Sequence, residues 1–113
     1  MKLELKRVVV FTADVAGLAR FYGEVIGLAP LSREEGWVEF DAGACRLALH
    51  AGKPRLGNRP PKLVFFATDV AAARALLKTR GAVDLGAVKS TASFDMCDGH
   101  DPDGNPFQIS SRR

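Results

Sequence analysis

Cysteine is scarce in this 113-residue chain, with Cys45 and Cys97 the only two. A single pair makes no disulfide framework, and the two show neither CxxC nor zinc-knuckle spacing. Histidine is equally sparse, limited to His50 and His100. Long apolar runs are missing as well. The run near the start, Val8 to Phe11, is too short for a signal-peptide core or a membrane span. No Ser-His-Asp signature and no phosphate-cradling glycine loop appears. These absences predict a cytoplasmic protein with reduced thiols and no membrane partner.

What is present is ordinary globular composition. Apolar residues make up 47% and charged residues 26%, which argues against disorder. A chain of this length buries roughly two-thirds of its unfolded surface, enough for a core. The net charge of +3 is unevenly spread. The basic excess falls after residue 52, in KPRLGNRPPK (Lys53, Arg55, Arg59, Lys62) and at Arg112 and Arg113. Aromatics do not interleave with these charges as a stacking platform requires, so no nucleic-acid partner is expected. A solvated linker and tail account for them.

The most informative pattern is an internal repeat. Residues 7–16 read RVVVFTADVA and residues 62–71 read KLVFFATDVA, an offset of 55. Each copy opens with a base and an apolar strand, then enters a helix at Asp14 or Asp69. A carboxylate there satisfies free N–H groups and the helix dipole. In the first helix Val15, Leu18, Tyr22, Val25 and Ile26 form one apolar face, and Gly27 ends it. In the second, roughly 69–80, Val70, Ala73, Leu76 and Leu77 form the face. Strands are predicted at Leu28–Ser32, Trp37–Asp41 and Cys45–His50, then at Val83–Val88, Ser93–Asp98 and Pro106–Ser110. The segment Asp101-Pro102-Asp103-Gly104-Asn105 has strong turn chemistry, with Asp101 and Asp103 as turn formers. The prediction is an α+β fold: two βαβββ modules, 1–52 and 61–113, joined by a linker at 53–60. They are expected to form a single domain with a curved, barrel-like mixed sheet and the helices outside.

The doubled module resembles the vicinal-oxygen-chelate superfamily, which includes glyoxalase I, bleomycin-resistance proteins and extradiol dioxygenases. The carriers are DVAGLARFYGEVIGL, Asp14 to Leu28, and DPDGNPFQIS, Asp101 to Ser110. Taken together, in order and with the repeat, they cover nearly the whole chain. The resemblance implies a small-molecule ligand in the concave cleft and a homodimer.

It also implies where metal-using relatives place their ligands: at the start of each module's first strand and in the last strand. Those positions fall on Arg7, Lys62 and Gln108, with a fourth at Leu47, Ala48 or Leu49. Guanidinium and ammonium have no lone pair to offer a cation, and one amide does not hold a metal. The sequence therefore departs from the metal pattern at each position, and no cofactor is expected. A divalent ion at His50, His100 and Asp98 is the alternative. Arg7, Lys62 and Gln108 instead suit an anionic or oxygen-rich ligand, with Phe11, Phe66, Trp37 and Met96 as apolar walls. Asp98 and Glu39 are candidate general bases. No element near Cys97 in sequence lowers its thiol pKa.

Three functions follow from this reading. The first is a metal-free binding protein similar to the bleomycin-resistance branch. The second is a lyase, isomerase or dioxygenase of the same superfamily. The third is a non-catalytic regulatory or interaction module.

Overall fold

The computed structural model of the protein describes all residues, 1–113. The chain divides into two compact units, Met1–Arg55 and Leu56–Arg113, here called modules 1 and 2. Each has the same βαβββ order. Module 1 holds β1 (Arg7–Thr12), α1 (Val15–Arg20), β2 (Ala29–Glu34), β3 (Trp37–Asp41) and β4 (Arg46–Ala51). Module 2 holds β5 (Leu63–Phe66), α2 (Val70–Thr79), β6 (Lys89–Ser90), β7 (Asp95–His100) and β8 (Pro106–Ser110). The two sheets run β1-β4-β3-β2 and β5-β8-β7-β6. In each, the first and last strands pair parallel and the others antiparallel. The fold is therefore α+β, with one open mixed sheet per module. No helix is long and apolar enough to cross a membrane.

The repeat begins the two helices alike. Asp14 accepts a hydrogen bond from the Gly17 amide at 3.0 Å, and Asp69 from the Ala72 amide at 2.9 Å. α1 then departs from a uniform α-helix. Phe21–Ile26 winds as a π-helix that closes at Gly27, whose φ is 93°. The wider turn keeps the neighbours Phe21 and Tyr22 both buried, together with Leu18 and Val25. Val38, Phe40, Leu47 and Leu49 complete this core. In module 2, Val70 and Leu77 of α2 are buried, as are Cys97, Phe107 and Ile109. Leu76, expected on the apolar face of α2, is instead 47% exposed. Val70, Ala73 and Leu77 make a stripe narrow enough to leave it outside.

The second difference lies at Val83–Val88, expected as a strand. Only Leu85 bridges β7, opposite Gly99. Hydrogen bonds from the Gly86 amide to the Asp98 carbonyl and from the His100 amide to the Asp84 carbonyl flank that bridge. Glycine at 86 weakens a strand interior, and regular pairing resumes only at Lys89–Ser90. At the outer edge of module 1, β2 contains Pro30 and a register shift between Pro30 and Ser32.

Alternation along the strands separates two faces per sheet. Val38, Phe40, Leu47 and Leu49 belong to the helix-packed face. Arg7, Val9 and Phe11 of β1, Arg46, Ala48 and His50 of β4, and Trp37, Glu39 and Asp41 of β3 share the other. In module 2 the matching face carries Lys62, Val64, Phe66, Gln108, Met96 and Asp98.

Two local devices hold module 2 together. Asp101 is 4% exposed and closes the turn before β8. Its Oδ1 accepts from the Asp103 and Asn105 amides, both at 2.9 Å, and its Oδ2 from Asn105 Nδ2 at 2.8 Å. Gly104 supplies the positive φ of 89°. Beside it, the Phe107 ring lies over Gly99. A Cβ there would stand 2.6 Å from Phe107 Cζ and 2.8 Å from the Asp84 carbonyl oxygen. Gly99→Ala is expected to cost about 1–3 kcal/mol by overpacking. Asp101→Ala should cost roughly 2–4 kcal/mol, since three amide donors lose their acceptor, and Asp101→Asn distinctly less. Urea unfolding of the three variants checks both.

Candidate functional site

The helix-free face of module 1 is organised around one carboxylate. Glu39 projects from the middle of β3 and is 4% exposed. Arg7 Nε donates to its Oε1 at 3.1 Å, and Arg46 Nη1 donates to its Oε2 at 2.8 Å. Arg7 and Arg46 sit side by side in the β1/β4 register. The Arg46 hydrogen bond, and after it that of Arg7, outweighs burial and holds the Glu39 carboxyl below its usual range.

Module 2 repeats the arrangement with different residues. Asp98 occupies on β7 the ladder row that Glu39 occupies on β3. It pairs with Gln108, itself opposite Val64, as Glu39 pairs with Ala48 opposite Val9. Lys62 Nζ donates to Asp98 Oδ1 at 3.1 Å, and Gln108 Nε2 donates to the same oxygen at 3.0 Å. Met96 Sδ lies 3.5 Å from Gln108 Nε2. Burial pushes the Asp98 carboxyl up, but the Gln108 and Lys62 hydrogen bonds prevail and leave it lowered. Lys62 also borders an open pocket of about 510 Å³, with Leu56, Arg59, Pro60, His100 and Pro106 on its walls.

The remaining predicted residues are divided between the two modules. Phe11, His50 and Trp37 lie in one ladder row of module 1. Ring centroids are 5.3 Å apart for Phe11–His50 and 5.4 Å for Trp37–His50. Phe66 is 51% exposed on module 2, with the Arg113 guanidinium 4.9 Å from its ring centroid. His100 Nδ1 meets Asp84 Oδ2 at 3.2 Å, while Asp98 is engaged by Lys62 and Gln108. No group of three or more His, Cys, Asp or Glu side chains is placed to hold a metal ion. Cys97 is buried, and burial raises its thiol pKa, which makes a reactive thiolate unfavourable.

Arg46 is the member that sequence reasoning missed. The alternation in RLALH places it with Ala48 and His50, and a hairpin pairing Asp41 with Arg46 brings it to Glu39. That signal is present, but reading it requires the hairpin register. A general base works best with a pKa near the operating pH, and Glu39 and Asp98 are both shifted the other way.

The chain matches the glyoxalase-like domain family over residues 7–110. It belongs to that family, within the vicinal-oxygen-chelate superfamily. No curated protein matches it. Among solved structures, a glyoxalase/bleomycin resistance protein/dioxygenase family enzyme from Burkholderia phytofirmans PsJN is similar at TM-score 0.81 and 20% identity, covering 96% of this chain and 98% of that one. A lactoylglutathione lyase from Agrobacterium tumefaciens gives TM-score 0.76 at 16% identity, covering 97% and 94%. A protein from the mobile metagenome of V. pseudocholerae gives 0.72 at 25% identity, covering 97% and 95%. These likenesses concern the fold.

The residues that the resemblance puts at metal positions, Arg7, Lys62 and Gln108 with a fourth at Leu47, Ala48 or Leu49, do not have the chemistry of a metal site. Arg7 and Lys62 are cations committed to carboxylates, Ala48 has no donor atom, and Gln108 offers one amide oxygen.

The lowered carboxyls set a pH dependence. Because the folded pKa lies below the unfolded one, their stabilisation is complete above the unfolded-state pKa. It is lost as pH falls through the folded pKa. The thermal midpoint should start to drop near about pH 5 and go on falling as the pH passes below the ordinary carboxylate range. A Glu39→Gln, Asp98→Asn double variant should start lower and fall less steeply in the same melts.

Proposed function

We propose that the chain captures small anionic or oxygen-rich molecules, each on the helix-free face of a single module's sheet, and does so without a metal ion. One observation carries the reading. Both modules place a cation at the mouth of the first strand and lock it to a carboxylate on the third, Arg7 to Glu39 and Lys62 to Asp98. Where metal-using relatives have a ligand, this chain has a hydrogen-bond donor.

The pairs suit binding better than chemistry. A carboxylate with a lowered pKa is a weak base, but it fixes a neighbouring guanidinium or ammonium in place. The cation then meets an incoming oxyanion with less orientation to lose. Gln108 gives its amide nitrogen to Asp98 and keeps its carbonyl oxygen for a ligand hydroxyl. Phe11, 48% exposed, and Trp37 supply apolar contact in module 1, and Phe66, 51% exposed, supplies it in module 2.

Metal content after incubation with zinc, nickel, manganese or ferrous ions and dialysis tests the first half of the proposal. The expected result is no stoichiometric ion, and one ion retained per chain would overturn it. Thermal shift with a panel of carboxylates and phosphates tests the second. Stabilisation should weaken in Arg7→Ala and Lys62→Ala, and a panel that leaves the melting point unmoved would count against anion capture.

A further inference from the structure

We infer that module 1 carries a further binding site on the helix side of its sheet, a groove between the π-helical turn and β2 that takes a small zwitterion of the α-amino-acid type. The ligand's carboxylate meets Arg20 and Arg33, and its ammonium meets Glu24. The site is separate from the helix-free faces and does not depend on the reading proposed for them.

The groove exists because the helix stops short of the edge strand. α1 packs on β4 and β3. Pro30 and Arg33 of β2 lie opposite Phe40 and Val38, so they face the same side of the sheet. Phe40 and Val38 are buried, whereas β2 is exposed at every position. The space between helix and strand measures about 440 Å³, within the range of small-molecule sites. Ala19 and Gly23 form its helical wall and Phe40 its floor. A Cβ at Gly23 would stand 3.3 Å from Phe40 Cε1, so glycine lets the helix come down to the edge of that ring.

Three charged side chains border the groove: Arg20, Glu24 and Arg33. All three are exposed, and none enters an ion pair or side-chain hydrogen bond within the chain. Arg20 and Glu24 are four residues apart, the spacing at which opposite charges pair on an α-helix. The winding changes from α to π between them, and they stay unpaired. Such π turns gather at functional sites. Glu34, next on β2, lies opposite Trp37 and belongs to the other face. The groove therefore presents groups of both signs, none of them satisfied by another. A guanidinium grips a carboxylate through parallel N–H groups, and a carboxylate takes an ammonium. A simple anion would meet Glu24 as well as the arginines. A molecule with an ammonium beside its carboxylate answers both signs.

The probe is L-leucine, compared with N-acetyl-L-leucine, which lacks the ammonium, and isoamylamine, which lacks the carboxylate. In proton–nitrogen correlation spectra the Gly23, Glu24 and Arg33 amides should shift saturably with leucine. Each comparison compound should bind about tenfold weaker or more. Arg33→Ala should weaken leucine by about tenfold, and Arg33→Lys less, because charge returns without the fork. Glu24→Gln should weaken leucine by about as much and tighten N-acetyl-L-leucine, whose repelling carboxylate is gone. A groove that merely holds anions gives the opposite result, with leucine itself tighter in Glu24→Gln. Lys78→Ala, which removes a charge from α2, should leave binding unchanged. These side chains are exposed and unpaired, so the variants should keep the parent melting point. Equal binding of N-acetyl-L-leucine, tighter leucine in Glu24→Gln, or no shift at the three amides overturns the inference. Shifts confined to His50 and the Trp37 indole would place leucine on the helix-free face, so that this site falls while the proposed function stands.

Discussion

A carboxylate shut away from water must be matched by positive charge, and Glu39 sets that constraint for module 1. Left alone at 4% exposure it would protonate or open the sheet. Arg7 and Arg46 prevent both outcomes, and their presence depends on the β1/β4 register that sets them side by side. A slip of one residue between β1 and β4 would put the two arginines on opposite faces of the sheet. The ion triad therefore belongs to the specification of the sheet as much as to any site. The aromatic row two ladder steps away is fixed by the same register.

Module 2 solves the equivalent problem differently. Asp98 is partly exposed and needs only a lysine and an amide. The two halves thus keep one plan, a first-strand cation joined to a third-strand acid, but differ in the residues that complete it and in the apolar groups nearby. The ladder position is the same in both halves, while the side chains around it differ. That is the pattern expected when a fold is retained and its surfaces are specialised.

The architecture was legible because the repeat is local and strong. RVVVFTADVA and KLVFFATDVA declare two strand-to-helix entries, and the capping role of Asp14 and Asp69 follows from side-chain chemistry alone. Trp37–Asp41 and Pro106–Ser110 begin and end where alternation and turn residues place them. Legibility failed where a tertiary partner decides the outcome. Val83–Val88 has strand composition, yet Gly86 and the close approach to Gly99 limit it to one bridge. Arg7 and Lys62 were recognisable as poor metal ligands from their chemistry. Their locking to Glu39 and Asp98 crosses 32 and 36 residues of sequence, and no periodicity reports a contact of that range. Arg46 lies only seven residues from Glu39, and it was hidden because the contact depends on the hairpin register.

The irregularity in β2 has a consequence for assembly. A sheet grows by adding a strand to an edge whose N–H and C=O groups are evenly presented. β2 offers no such template: Pro30 lacks a donor, the register shifts before Ser32, and Arg33 and Glu34 bring charge to the end of the strand. Continuous β-pairing between copies through this edge is closed, so module 1 can carry a long, fully exposed outer strand without seeding fibres from it.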